Sequence, residues 1–172
     1  MFSISPLRLA HHSLCIAIAI TCLACGSVAQ ETGNCTAHDA SSRPDCPGAI
    51  AFFDKLRAAV NAGDKSRLAS MVSYPMRASQ NGQPIQIRTR QQFLQKYPQL
   101  FDPAVICAIK SAKDSDVWGN YQGFMIGRGV IWWDAVIPAS VKNPQPESGK
   151  YPFRIISINN QNVTAPGCAD AK

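Results

Sequence analysis

The chain's best candidates for acid–base chemistry are one carboxylate and one phenol: Asp134, directly after Trp132-Trp133, and Tyr74, directly before Pro75. A carboxyl group tuned by burial can take a proton and a phenol can give one, so together they could act as an acid–base pair. The competing reading puts Asp134 on the outer face of its strand, paired with Arg128, which has the same parity six residues earlier. Tyr74 then packs its ring at an element end and finds a backbone partner. This second reading is the default for both residues. His38 falls in a polar leader, so a histidine mechanism has no candidate inside the fold, and no Ser-His-Asp or Cys-His set can be assembled. Asp54, beside Lys55, reads as solvated.

Aromatic residues offer a binding role instead. Trp118, Tyr121, Trp132 and Trp133 cluster in sequence. Trp132 and Trp133 cannot both face the core of a regular strand, so one of them is expected at the surface as an anchor for a sugar or a protein, unless helix or loop cover buries both. Tyr74 and Arg77 would mark a second contact region, and Arg128 adds charge. The basic residues Arg77, Arg88, Arg90, Lys110, Lys113 and Arg128 are scattered, with no basic run or aromatic-interleaved motif, which argues against nucleic acid as partner.

Residues 1–29 read as a secretory signal. Arg8 precedes an apolar stretch from Leu14 to Cys25, Gly26 breaks it, and Ser27-Val28-Ala29 supplies small residues for cleavage near Ala29. The stretch is shorter than the roughly 20 residues of a membrane span. An alternative is a lipoprotein box, Cys22-Leu23-Ala24-Cys25-Gly26-Ser27, with a lipid anchor on Cys25. Either way the product is a periplasmic, secreted or envelope-attached protein.

Cleavage removes three of the seven cysteines and leaves Cys35, Cys46, Cys107 and Cys168. An even number in an oxidising compartment points to disulfides, with three possible pairings. Cys35 and Cys46 flank a short Pro-containing loop and suit a local ring, and Cys107 with Cys168 would staple the C-terminal tail to the middle of the chain. No C-x-x-C pair survives cleavage, so a metal site is not expected, and no cofactor motif is present.

The whole chain has 172 residues, 46% hydrophobic and 16% charged, with a net charge of +6. That excludes a disordered polyampholyte and suits one domain with one core. Loss of Arg8 with the signal leaves +5, a balance that favours acidic partners: an anionic envelope polymer, a lipid head group or an acidic protein. Residues 30–44 form a flexible leader, 45–162 the domain, and 163–172 a tail tethered by Cys168.

Within the domain, Asp45 and Pro47 open a helix carrying Ile50, Phe53, Leu56 and Val60, which ends at Gly63. Asp64 caps a second helix bearing Leu68, Met71 and Val72, stopped by Tyr74-Pro75. A hairpin turns at Asn81-Gly82, between residues 76–80 and 84–88. Thr89 and Gln92 form a capping box for a helix with Phe93, Leu94 and Tyr97 inward, and further helical turns follow Pro98 as far as Ile109. Phe124 to Ile137 reads as one long strand, with Gly127 and Gly129 permitting a bend or bulge, and Tyr151 to Asn159 as the last strand.

This order, together with Phe52-Phe53-Asp54-Lys55-Leu56, Val60-Asn61-Ala62-Gly63-Asp64, Tyr74-Pro75-Met76, Phe93-Leu94-Gln95-Lys96-Tyr97 and the segment from Gln122 to Trp132, resembles the nuclear transport factor 2-like superfamily. The resemblance covers roughly 45–160 and is to small secreted bacterial members. It implies an α+β fold, with N-terminal helices packed on a curved antiparallel sheet that forms a cone. It leaves function open, because that fold hosts enzymes, binding modules and dimerisation domains. The resulting expectation is a non-enzymatic envelope binding protein that contacts a protein or glycan through the sheet face or the cone mouth. The alternatives that the resemblance implies are a small-molecule enzyme of the isomerase or cyclase type using Asp134 and Tyr74 as acid–base groups, and a structural homodimer paired through the sheet.

Overall fold

Helix boundaries follow local signals closely. The structure, a computed structural model, describes residues 45–80, 82–142, 150–161, 163, 167 and 168. Helix α1 (Cys46–Asn61) begins with Pro47 in its first turn. Gly63 (φ 63°) ends it in a left-handed cap: its N–H donates to Val60 O, and that of Asp64 donates to Ala59 O. The Asp64 carboxylate then accepts from Arg67 N (2.9 Å) and starts α2 (Lys65–Ser70).

From here the chain departs from expectation. The second helix closes at Met71, and Val72 already belongs to strand β1 (Val72–Gln80). The Tyr74-Pro75 pair, expected to stop a helix, lies within this strand, joined by a cis peptide bond. Strand β2 (Gln83–Ile87) pairs back on β1 antiparallel, with Gly82 at φ 78°, whereas Asn81 of the expected turn lies outside the described residues. Thr89 caps α3 (Arg90–Leu100) by accepting from Gln92 N, while the Gln92 side chain accepts from Arg88 N, one residue earlier than a standard capping box requires. Pro98 does not interrupt α3. The break comes at Phe101-Asp102, where the Asp102 carboxylate accepts from Val105 N (2.8 Å) and starts α4 (Pro103–Ser111) afresh.

The expected single strand from Phe124 to Ile137 is instead a hairpin. Strands β4 (Gly123–Ile126) and β5 (Ile131–Ala135) are joined by Gly127, Arg128 and Gly129, all at positive φ (58°, 57° and 89°). Three successive left-handed residues reverse the chain, and that is what the two glycines provide. Strand β3 (Trp118–Asn120) precedes the pair and β6 (Phe153–Asn159) follows it.

Among the described residues the fold is α+β, a six-stranded sheet in the order β2-β1-β6-β5-β4-β3 with four α-helices. The sheet is mixed and not wholly antiparallel as expected, since β1 and β6 run parallel. One sheet face is buried: Met76, Ala78, Phe124, Ile126, Ile131, Trp133, Ile155 and Ile158 meet Phe53, Leu56, Leu68, Phe93 and Val105 from the helices in one core. Trp133 is its aromatic centre, stacked on Phe53 (5.7 Å), Phe52 (6.2 Å) and Phe124 (6.4 Å). The Cys107–Cys168 bridge ties the C-terminal segment to α4 as expected. Cys46 is also disulfide-bonded, while Cys35, its expected partner, lies outside the described residues, as do the signal segment and Cys25.

Candidate binding face

The opposite sheet face carries a continuous row of side chains. Register pairs join Gln86 to Arg77, Arg77 to Ser157, Ser157 to Trp132, Trp132 to Met125 and Met125 to Trp118. Residues directly opposite in neighbouring strands share a face, so the row crosses all six strands. Every member is exposed or half-buried, in contrast to the buried core side.

A groove of about 450 Å³ is cut into this row and lined by Pro75, Arg77, Gln122, Trp132, Ile156 and Ser157. Two register irregularities form it. On the β5 side, Trp132 faces Ser157 but Trp133 faces Ile155, so Ile156 is an extra residue, a β-bulge. Ile156 and Ser157 are therefore both turned from the core, while Ile155 and Ile158 point into it. On the β1 side, Val72 faces Ile155 and Arg77 faces Ser157, so five steps of β1 run against two of β6. Strand β1 bows away from β6 around Tyr74-Pro75, and Pro75 has no N–H with which to pair.

The groove lining combines aromatic, apolar and hydrogen-bonding groups. Trp132 offers an aromatic surface, Ile156 an apolar neighbour, and Arg77, Gln122 and Ser157 supply hydrogen-bonding groups. Trp118 continues the aromatic surface beyond Met125, and Tyr121 stands exposed at the turn before β4.

The other expected site residues lie elsewhere. Trp133 is fully buried, so of the adjacent pair it is Trp132 that reaches solvent. Arg128 sits in the β4–β5 turn and does not share a strand face with Asp134. The cross-strand neighbour of Asp134 is Arg154, and its carboxylate accepts from Ala135 N (2.9 Å). Tyr74 donates its hydroxyl to Ala69 O at the end of α2 (2.9 Å). Burial pushes its pKa up to about 12, against the smaller opposing pull of the Arg90 guanidinium. Neither Tyr74 nor Asp134 lines the sheet-face groove. Among the described residues no three His, Cys, Asp or Glu side chains gather as a metal site, and no helix is long and apolar enough to cross a membrane.

Gln122, Ile156 and Ser157 were missed by sequence reasoning. A signal for the bulge was present in Ile155-Ile156-Ser157-Ile158, where two adjacent apolar residues break the alternation of a one-sided strand.

No family model, curated protein or solved structure matches this chain.

Proposed function

We propose that the protein is an exported, non-enzymatic binding protein of the cell envelope, with the uncovered sheet face as its contact surface and a glycan or protein as its partner. The groove around Trp132 carries this reading: an aromatic plate flanked by Arg77, Gln122 and Ser157 suits a sugar ring or an extended polar segment. The Cys107–Cys168 bridge and the bonded Cys46 support an oxidising compartment, and the sequence of residues 1–29 supports export to it. Helices on one side of a six-stranded sheet, in this chain order, support the nuclear transport factor 2-like cone assignment.

The enzymatic alternative has less behind it. The Tyr74 hydroxyl is engaged with a backbone carbonyl, and Asp134 stands opposite a guanidinium-bearing residue. Pairing of two copies through the Trp118–Met125–Trp132 surface is the remaining alternative.

Co-sedimentation with an insoluble envelope fraction tests the proposal. The wild-type protein is expected to pellet, and Trp132→Ala or Arg77→Gln to remain soluble. Protease or glycosidase treatment of the envelope identifies the partner class. Pelleting unaffected by either substitution would refute the proposed face, and size-exclusion chromatography of the same variants reports on pairing.

A further inference from the structure

A second groove, of about 640 Å³, lies apart from the sheet-face row, between α1, the end of α2 and the start of β6. Three cations line it, each from a different element: Lys55 from α1, Arg67 from α2 and Arg154 from β6. No carboxylate is among the described residues that line it. Among the described residues the neighbouring acids each have a partner, and Asp134 stands cross-strand from Arg154. Asp54 pairs with Arg57, Asp64 accepts from the backbone N–H of Arg67 at the start of α2, and Asp134 accepts from Ala135 N. Lys55, Arg67 and Arg154 make no ion pair among the described residues. Arg154 Nη1 donates to Phe153 O (3.0 Å), which holds its guanidinium close to its own strand edge.

The wall between these cations is apolar, formed by Phe52, Met71 and Phe153. Gly48 lets the Phe153 ring lie directly on α1, since a Cβ at that position would come within 2.8 Å of the ring. Three like charges around one groove repel one another unless an anion sits among them, and an apolar wall between them favours a ligand with a hydrocarbon part. The volume is within the range of small-molecule sites.

We propose that this groove binds a single-headed anionic amphiphile, with its carboxylate or phosphate head held by Lys55, Arg67 and Arg154 and its short alkyl chain laid along Phe52, Met71 and Phe153. Calorimetric titration of the purified protein tests it, using decanoate, decyl phosphate, decyl glucoside and inorganic phosphate below any micelle concentration. Decanoate or decyl phosphate is expected to bind, and the tighter of the two identifies the head group. Lys55→Gln and Arg67→Gln should each weaken binding by about tenfold, as expected for loss of one charge-assisted contact, while Arg77→Gln on the other face leaves it unchanged. Decyl glucoside binding as tightly would overturn the role of the cations, and inorganic phosphate binding as tightly would overturn the role of the apolar wall. Failure of both anionic amphiphiles to bind would overturn the site altogether. The wild-type ligand series decides these points even if a substitution lowers stability. The proposal is independent of the sheet-face reading, which the Arg77→Gln and Trp132→Ala variants address separately.

Discussion

Replacing each of the adjacent tryptophans by alanine should give opposite phenotypes. Trp133 is fully buried and stacks on Phe52, Phe53 and Phe124. Burying about 200 Å² of indole at about 25 cal/mol per Å² is worth ~5 kcal/mol. Truncation of a core aromatic to alanine costs about 3–5 kcal/mol with partial collapse of the cavity. For a domain of this size that lowers Tm by roughly 10–20 °C. Trp132 is half-buried at the groove rim, so its truncation should cost no more than about 1 kcal/mol and affect binding instead. Trp133→Phe provides a finer test. The Trp133 indole N–H is buried without a hydrogen-bond partner among the described residues, and an unpaired donor costs about 1–3 kcal/mol. Phenylalanine keeps most of the stacking and removes that penalty, so the net loss should be no more than about 1–2 kcal/mol. Urea denaturation monitored by circular dichroism measures all three variants. A Trp132→Ala loss equal to or larger than that of Trp133→Ala would refute the assignment of faces. So would a Trp133→Phe loss as large as that of Trp133→Ala.

Breaking the Cys107–Cys168 bridge by a double serine substitution frees a loop with a sequence separation of 61 residues. Chain-entropy arguments give a loss of about 4 kcal/mol, read as a drop in denaturation midpoint. Burial raises the pKa values of Tyr74 and Tyr97, that of Tyr74 to about 12, so the unfolded chain releases these phenolic protons at lower pH than the folded one. Their stabilising contribution is complete below pH 10 and falls as pH rises above it, for Tyr74 over the range up to about 12. Tyr74→Phe should flatten that decline in a pH series of denaturation curves. Asp102 caps α4 through Val105 N and also accepts from the Nδ2 of buried Asn160 (3.3 Å). Asp102→Ala should cost about 2 kcal/mol, and Asp102→Asn, which keeps a capping oxygen, clearly less.

Much of the framework was legible because it is encoded locally. Gly63 with Asp64 and Thr89 with Gln92 mark helix ends by short-range hydrogen bonding, and the structure places helix ends at both, whereas the break at Phe101-Asp102 between α3 and α4 was read through as continuing helix. The α+β class and the Cys107–Cys168 bridge were also readable. What escaped depends on long-range pairing. The Gly127-Arg128-Gly129 reversal looks like a bend until β4 and β5 are seen to pair, and missing it scrambled the parity of everything downstream. Trp133 was thus indistinguishable from Trp132, and Arg128 seemed to share a face with Asp134. The parallel β1–β6 pairing joins segments more than 70 residues apart in sequence, and no local signal specifies it. The sheet-face groove arises from register mismatch on both edges of β6, so only Trp132 and Arg77 of its lining stood out in the sequence as binding candidates. The second groove gathers Lys55, Arg67 and Arg154 from three elements and left no trace in composition.

The sheet face is the proposed place of contact. Backbone and indole NMR signals of the protein, followed while solubilised envelope fragments are added, test that most directly. The signals of Arg77, Gln122, Ser157 and the Trp132 indole should shift together, while those of Trp133 and α4 stay in place. Shifts centred on Tyr74 and α2, with the Trp132 indole unmoved, would contradict it.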